Sequence, residues 1–419
     1  MNGLVGKQLT HSLSPLIHNY FGYPNYQLIE TQDIAAFLQQ KNFEMVNITI
    51  PYKEMVLPFL DVIDPLAKEI GAVNTIIHKN NQLYGYNTDY IGLLSALDSL
   101  HLSLKNQRVV ITGNGGMAKC AHILCLHEHA YSIHHLVRTK KDHFDVSFDE
   151  IASLQQTTVL IQTTPVGMYP MLNETLPFSL HQFPHLIGMI ETIYNPYRTD
   201  LLIQASQLRI PSTNGLHQLV VQAKQARELA DQRIIPQELI TKVLQAVRKV
   251  TLNVVLIGLP MSGKSSIGKL LATRWNKSWI DTDQAIEEIQ HKTIDEIFDL
   301  LGEQSFRQME LDYALSIQHL KNTIISTGGG MIEQIPLINA LKRNGILIYL
   351  EKQPVQTKGL DMTGRPLLKF PEAMFKLHEK RAPLYQKHAD IIINANQPYE
   401  QILREIEEKF DEITRFRRS

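Results

Sequence analysis

One stretch constrains this chain more than any other. A β-branched run, Asn253 to Ile257, empties into Gly258, Leu259, Pro260, Met261, Ser262, Gly263, Lys264 and Ser265, and a helical apolar pattern follows from Ser266 to Trp275. A strand that passes through GxxxxGK[ST] into a helix gathers backbone N–H groups around one point, and that arrangement suits a phosphate chain. Gly258, Met261, Ser262, Gly263, Lys264, Ser265 and Ser266 are therefore read as a nucleotide cradle. Lys264 would neutralise the β/γ oxygens, and Ser265 would offer its hydroxyl to Mg²⁺. An accidental glycine turn would not combine strand, loop, Lys-Ser pair and helix in this order.

A second handover of the same kind lies upstream. Arg108 to Thr112 reads as a strand, Gly113, Asn114, Gly115, Gly116, Met117 and Ala118 form a GxGGxA turn, and a helix follows. This is a variant of the dinucleotide fingerprint. About twenty residues on, where an acidic residue would meet a ribose 2′-hydroxyl, stand Val137, Arg138, Thr139, Lys140 and Lys141. Basic residues there suit a 2′-phosphate, so NADP is expected over NAD.

Strands expected at Met45 to Ile50, Arg108 to Thr112, Thr158 to Gln162, His185 to Glu191, Leu252 to Ile257, Thr323 to Ser326 and Gly345 to Leu350 alternate with helix-length segments, the pattern of parallel α/β sheets. Helices are expected at Leu216 to Ala230 and Pro236 to Val247, with a break near Val250. At 419 residues the chain has room for about three units, and it shows no internal repeat. With Lys plus Arg at 41 and Asp plus Glu at 42, it has no global field for nucleic acid or an anionic membrane. Any anion is met locally. Cys120 and Cys125 are spaced as packing thiols, no apolar run reaches a membrane span, and Met1 to Ser12 lacks signal-peptide order. The expected location is the cytoplasm. The 17 histidines show no helical zinc spacing with a third ligand. His11 and His18, flanking Ser12 to Ser14, are read as pocket support.

The second half resembles the shikimate kinases over nearly all of Asn253 to Phe410. The resemblance rests on the phosphate loop, Asp281-Thr282-Asp283, Phe306-Arg307 with Glu310, Gly328-Gly329-Gly330, Gly364-Arg365-Pro366 and Arg381-Ala382-Pro383. It implies that Asp283 holds the acceptor hydroxyl as base and that Asp281 sits near the metal beside Ser265. Arg307 and Arg381 would grip the acceptor carboxylate, which a planar guanidinium can bond through both oxygens. The glycine run would approach the acceptor ring, and Arg365 would reach the ATP phosphates. Lys358 stands where the family has another arginine.

The first half, roughly Gly3 to Val247, resembles the shikimate dehydrogenases. Ser12-Leu13-Ser14-Pro15, Asn47-Ile48-Thr49-Ile50-Pro51-Tyr52-Lys53, Asn74-Thr75 and Asn87-Thr88-Asp89 carry the likeness in order and spacing. It implies that Ser12 and Ser14 bind a carboxylate and that Asn47, Thr49, Asn74 and Gln222 hold ring hydroxyls. Lys53 with Asp89 would be the catalytic pair, Lys53 giving the proton as a hydride arrives. Tyr194 matches a tyrosine near substrate and nicotinamide. Thr163, in a loop where Gln162-Thr163-Thr164 replaces Asn-Ala-Thr, and Gly215 fall on the cofactor side. Met117 replaces a small residue and Val137 an asparagine.

The expected architecture is α/β throughout. Residues 1–248 form a two-part dehydrogenase, with a substrate part at 1–97 plus 216–248 and a Rossmann-like NADP part at 98–215. Residues 249–252 are a linker, and 253–419 a P-loop kinase with a parallel sheet of the nucleoside-monophosphate-kinase kind. The expected function is NADPH-dependent reduction of 3-dehydroshikimate and MgATP-dependent phosphorylation of the shikimate so made. The alternatives are a shikimate-binding regulatory first half, a quinate substrate or NAD. The expected partners are these small molecules, without nucleic acid or membrane, in a monomer or homodimer.

Overall fold

A computed structural model describes residues 1–9, 12–354 and 372–415. His11, Lys358 and Arg365 lie outside them. The chain divides into two units, Met1–Val247 and Arg248–Arg415.

The first unit holds two sheets. Strands β1 (Asn2–Gly6), β2 (Tyr26–Glu30), β3 (Met45–Ile48), β4 (Val62–Ile63), β5 (Thr75–Lys79) and β6 (Gln82–Tyr86) lie in the order β2-β1-β3-β5-β6-β4. The period of two sends Val5, Val46 and Ile76 to one face, against Ile34 and Leu38. Leu4, Met45 and Ile77 go to the other, under Ala226 of the helix Gly215–Asp231. Register sets Asn47 opposite Thr75 on the antiparallel β3–β5 pair.

Strands β7 (Arg108–Thr112), β8 (Ser132–Val137), β9 (Asp145–Ser147), β10 (Val159–Gln162), β11 (Gly188–Glu191) and β12 (Ser212–Thr213) form a wholly parallel sheet, ordered β12-β11-β10-β7-β8-β9. Such a sheet buries both faces. Val109, Ile111, Val159 and Ile161 pack on the helix Gly116–His127, where Cys120 and Cys125 are free core thiols. Val110, Leu136, Leu160 and Met189 pack on the opposite side against Phe178 and Leu201.

The second unit is one parallel sheet of β13 (Asn253–Ile257), β14 (Ser278–Asp281), β15 (Thr323–Ser326), β16 (Gly345–Glu351) and β17 (Ile391–Asn394), ordered β14-β15-β13-β16-β17. Val255, Ile257, Ile325, Leu347 and Tyr349 anchor its core.

Several expected boundaries move. Residues 249–251 are the last turn of the helix Glu238–Thr251 rather than linker, because the buried spacing Ile240, Val243, Leu244, Val247 carries the helix on until Leu252 N–H meets the Arg248 carbonyl. That helix begins at Glu238, not Pro236. β3 stops at Ile48, since Tyr52 N–H turns back to the Thr49 carbonyl. β11 begins at Gly188, since Leu186 N–H bonds the Phe183 carbonyl in a preceding turn. The β5–β6 hairpin escapes the sequence reading although Asn80 and Asn81, with φ 53° and 60°, make a two-residue turn of the kind asparagine favours.

One buried carboxyl shapes the end of β11. Glu191, fully buried, accepts from Ile193 N–H at 3.0 Å and Thr199 Oγ1–H at 2.8 Å, and burial pushes its pKa up to about 8. A carboxyl whose folded pKa is raised stabilises the fold fully below its unfolded value near 4.5 and loses that stability as pH rises through about 8. Glu191→Gln is therefore expected to gain about 1 kcal/mol or more over wild type at pH 9 and little at pH 5. Denaturant titration of both proteins at the two pH values measures it; an equal effect at both would contradict the account.

Candidate active sites

In the first unit the two expected catalytic groups meet. Lys53 follows the turn after β3, and Asp89 opens the helix Asp89–Ser99. Lys53 Nζ donates to Asp89 Oδ2 at 2.7 Å, with the two side chains 15% and 8% exposed. The backbone of Asp89 is held by Asn87, whose Oδ1 accepts Asp89 N–H at 3.1 Å while its Nδ2 donates to the Ala72 carbonyl at 2.8 Å. That role of Asn87 is not evident in the sequence, where it is only the first letter of Asn-Thr-Asp.

Around this pair the expected polar side chains fall into two groups, Asn47, Asn74 and Gln222 joined through Thr75 and Thr88, and Ser12, Ser14 and Tyr194. Asn74 Oδ1 accepts from Thr88 N–H at 2.7 Å, Asn74 Nδ2 donates to Gln222 Oε1 at 3.4 Å, and Thr88 Oγ1 also donates to that oxygen at 3.3 Å. Asn47 Nδ2 donates to Thr75 Oγ1 at 2.9 Å. Ser12 and Ser14 share a hydroxyl contact of 3.1 Å, and the Tyr194 hydroxyl reaches Ser12. Burial raises the Tyr194 pKa, so it remains a neutral phenol. Thr49 is half-buried, its methyl against Gly6.

The glycine turn comes to the same place. Gly113, at φ 90°, takes a backbone conformation that favours glycine and lies against Thr164. Gly115 caps the helix Gly116–His127 without a side-chain bond, and a Cβ there would meet nothing. The exposed helix start therefore presents its N–H groups as a phosphate site would. A Cβ on Gly116 would lie 3.4 Å from Lys53 Cβ, so the lysine stem runs beside the turn. Met117 Sδ receives Gln218 Nε2–H at 3.3 Å, and Ala118 is core. Asn114 is half-buried. Thr163 Oγ1 donates to the Thr112 carbonyl at 2.5 Å, and buried Gln162 ties the loop through Thr164 N–H at 2.6 Å.

Two expected cofactor residues stand differently. Arg138 and Thr139 are exposed past β8, but Lys140 is already paired with Glu150 at 2.5 Å. Gly215 has a packing reason for its identity: a Cβ would lie 2.0 Å from the Thr192 carbonyl oxygen.

In the second unit, Gly258 (φ 151°), Met261 (φ 65°) and Gly263 (φ 92°) curl the loop from β13 into the helix Lys264–Trp275. Gly263 caps that helix without a side-chain bond, and Ser262 Oγ is buried with no partner. Lys264 Nζ lies across the loop on the Gly258 and Leu259 carbonyls at 3.0 and 2.8 Å. Ser266 is exposed on the first helical turn. Ser265 Oγ donates to Asp281 Oδ2 at 2.5 Å, placing two hard oxygen ligands side by side as Mg²⁺ prefers. Asp281 Oδ1 accepts Asp283 N–H at 3.1 Å, capping the helix Thr282–Gln290.

The glycine run floors this site. A Cβ on Gly328 would lie 2.4 Å from Asp283 Oδ1, one on Gly329 2.9 Å from the Pro260 ring, and one on Gly330 2.1 Å from Arg307 Nη1. Burial first, and then Asp281, raise the Asp283 pKa to about 6, against the pull of Lys264 and Arg307. Arg307 donates to Glu310 at 2.6 Å and to Glu303 at 2.9 Å. Burial lifts Glu310 to about 7 despite that pairing. Arg381, 3% exposed, donates to Glu333 Oε1 at 2.7 Å. Glu333 carried no signal in the sequence, lying 48 residues from the arginine it serves. Arg365 lies outside the described residues, among which no three His, Cys, Asp or Glu side chains gather as a metal site.

Known proteins match both units. The shikimate dehydrogenase substrate binding domain matches residues 4–76, and the shikimate kinase family matches residues 260–411. The chain is 36% identical to the shikimate dehydrogenase (NADP(+)) of Clostridium beijerinckii over 248 residues, 54% of this chain and 90% of that one. Shikimate dehydrogenase 1 of Peptoclostridium difficile is 30% identical with a TM-score of 0.54, covering 59% of this chain and 97% of its own. A chorismate mutase/shikimate 5-dehydrogenase fusion protein from Clostridium acetobutylicum is 31% identical with a TM-score of 0.55, covering 59% and 96%.

The glycine contacts separate two kinds of substitution. Gly330→Ala meets only a side-chain tip and is expected to melt within a few degrees of wild type, whereas Gly215→Ala meets backbone and should cost about 3 kcal/mol or more. Thermal melts of the two variants check this; equal losses would contradict it.

Proposed function

The chain belongs to the shikimate dehydrogenase family over its first unit and carries a shikimate kinase domain in its second, and from that premise we propose that it is a bifunctional shikimate-pathway enzyme. It reduces 3-dehydroshikimate to shikimate with NADPH and then phosphorylates shikimate at its 3-hydroxyl with MgATP. What supports the reading is that in each unit a glycine turn into a helix lies beside the expected catalytic groups: Gly116 beside Lys53, which pairs with Asp89 at 2.7 Å, and Pro260 of the second turn beside Gly329, next to the Gly328 that Asp283 packs against. Bound NADPH supplies the hydride, and MgATP the phosphoryl group.

In the first site Ser12, Ser14 and Tyr194 hold the substrate carboxylate, and Asn47, Thr49, Asn74 and Gln222 its hydroxyls. Lys53 gives its proton to the C3 oxygen as that oxygen gains charge, while Asp89 keeps the ammonium in place. Gly113, Asn114, Gly115, Gly116, Met117 and Ala118 seat the pyrophosphate, with Thr163 and Gly215 on the nicotinamide side and Arg138, Thr139 and Lys140 at the 2′-phosphate. Lys140 is shared with Glu150 across an exposed ion pair, a weak hold that a 2′-phosphate would displace.

In the second site Arg307 and Arg381 take the carboxylate of shikimate. Asp283 accepts the proton of the attacking hydroxyl. Lys264 would leave the loop carbonyls for the phosphate oxygens, Ser265 with Asp281 would hold Mg²⁺, and Arg365, outside the described residues, would supply a further cation to the phosphates. Residues 1–97 with 216–248 act as the substrate part of the first enzyme and 98–215 as its cofactor part. A soluble cytoplasmic enzyme, monomeric or homodimeric, without nucleic-acid or membrane partners, fits this chemistry. No helix among the described residues is long and apolar enough to cross a membrane.

Two experiments test the assignment. Lys53→Met should lower kcat for NADP-dependent shikimate oxidation by about 10²- to 10⁴-fold and leave shikimate-dependent ADP release intact. Unchanged dehydrogenase turnover would refute Lys53, and no turnover in wild type would leave only a shikimate-binding module. For the kinase, Asp283 must be ionised to accept a proton. With its pKa raised to about 6, phosphorylation should fall as pH drops through that value. Asp283→Asn should lose about 10²- to 10⁴-fold in kcat and this pH limb with it; a limb that survives in the variant belongs to another group.

A further inference from the structure

Beneath the first site lies a buried cation with no role in the scheme above. Arg227, on the helix Gly215–Asp231, is 1% exposed. It forms no ion pair among the described residues, and its Nη2 is buried without a hydrogen-bond partner. Its neighbours are aromatic, with the guanidinium carbon 3.7 Å from the centre of the Tyr23 ring and 5.6 Å from that of Tyr26. Burial draws its pKa down only to about 10, with Tyr26 and the more distant carboxylate of Glu44 acting the other way, so it is charged at neutral pH. An unpaired charge in a protein interior is costly, and an apolar side chain of the same size would fill the space at less expense.

The contacts of Arg227 lead to the substrate groups. Its Nε lies 3.1 Å from His18 Nδ1. Arginine has no acceptor, so the guanidinium donates and that ring nitrogen is bare. Burial, and then Arg227, lower the His18 pKa, so the ring is neutral and its single proton sits on Nε2. His18 stacks on Tyr26 with centroids 3.7 Å apart and planes 12° apart, and Tyr26 OH donates to Asn47 Oδ1 at 2.7 Å. Asn47 acts on the His18 ring, yet His18 Nε2 has no partner of normal hydrogen-bond geometry. The structure thus holds a buried N–H donor unsatisfied beside Asn47. His18 also stands one turn after Ser14, and both are buried on the helix Ser14–Tyr20.

We propose that Arg227 is a positioning residue for the carboxylated ligand of the first site. By donating to Nδ1 it fixes His18 as the Nε2–H tautomer beside Asn47, and its charge provides the ligand carboxylate with a cation additional to Lys53, whose charge Asp89 already balances. The inference rests on the dehydrogenase reading of this site.

The test compares full-length wild type, Arg227→Met and Arg227→Lys in NADP-dependent shikimate oxidation. The methionine variant is expected to raise KM for shikimate about tenfold with kcat within about threefold, because ground-state attraction is lost and the proton donor is untouched. It should melt no lower than wild type, since a buried unpaired charge has been removed. The lysine variant, which keeps charge and a donor, should return KM to within about threefold of wild type. In histidine-labelled wild type, the ¹⁵N pattern of His18 should be that of the Nε2–H tautomer. A KM within about twofold of wild type in Arg227→Met, a lysine variant no better than methionine, or a His18 proton on Nδ1 would each overturn the proposal. If the methionine variant fails to fold, the lysine variant and the wild-type tautomer decide. Absence of NADP-dependent turnover in wild type would instead refute the underlying reading, and is seen before any variant is made.

Discussion

A parallel sheet covered on both faces leaves its polar work to the ends of its strands, and the β7–β12 sheet of the first unit and the sheet of the second unit both obey that constraint. Strands such as Val254–Ile257 and Val109–Ile111 are buried on each side, so no catalytic group can stand on a face of these two sheets without displacing core, whereas the mixed β1–β6 sheet carries Asn47 within β3. The chemistry collects where strands end. Gly258 follows β13, Asp281 ends β14, Gly328 follows β15, Gly113 follows β7 and Thr163 follows β10. Each turn also exposes the start of a helix or a loop backbone, so the same geometry that terminates a strand supplies donors for phosphate.

Local charge is then tuned by what lies against these turns. The chain carries 41 basic and 42 acidic residues, and neither site depends on a field from the whole molecule. In the second unit, glycines at 328 and 330 let Asp283 and Arg307 press against backbone, and burial there is the largest influence on the Asp283 pKa. A carboxyl raised toward neutrality would suit the proposed acceptance of a hydroxyl proton better than an exposed aspartate would. In the first unit the opposite device operates. Lys53 is held as a tight pair with Asp89, whose backbone N–H is bonded by Asn87 two residues earlier.

How much of this was legible in the sequence varied with the kind of signal. Turns that need special backbone, Gly258 to Gly263 and Gly113 to Gly116, announced themselves because glycine spacing and helix starts are local. The pairing of Lys53 with Asp89 came through resemblance rather than spacing, since 36 residues separate them. Ion pairs between residues distant in sequence, exposed Lys140 with Glu150 and buried Arg381 with Glu333, left no trace. The segment expected as linker, 249–252, lies at the boundary between the two units, and the helix continues through Thr251 because backbone bonding outlasts the apolar repeat that ends at Val247. Arg227 was invisible for a related reason: among polar neighbours on a helix, a cation reads as a solvated face.

The central claim is that one chain performs two consecutive steps on one small carboxylated polyol. The most direct measurement is a single mixture of the full-length protein with 3-dehydroshikimate, NADPH and MgATP, in which NADPH oxidation, ADP release and the phosphorylated product are followed together. The account predicts equal amounts of all three at completion, with ADP appearing only after NADPH begins to fall. NADPH oxidation without ADP, or ADP release that ignores the omission of NADPH, would contradict it.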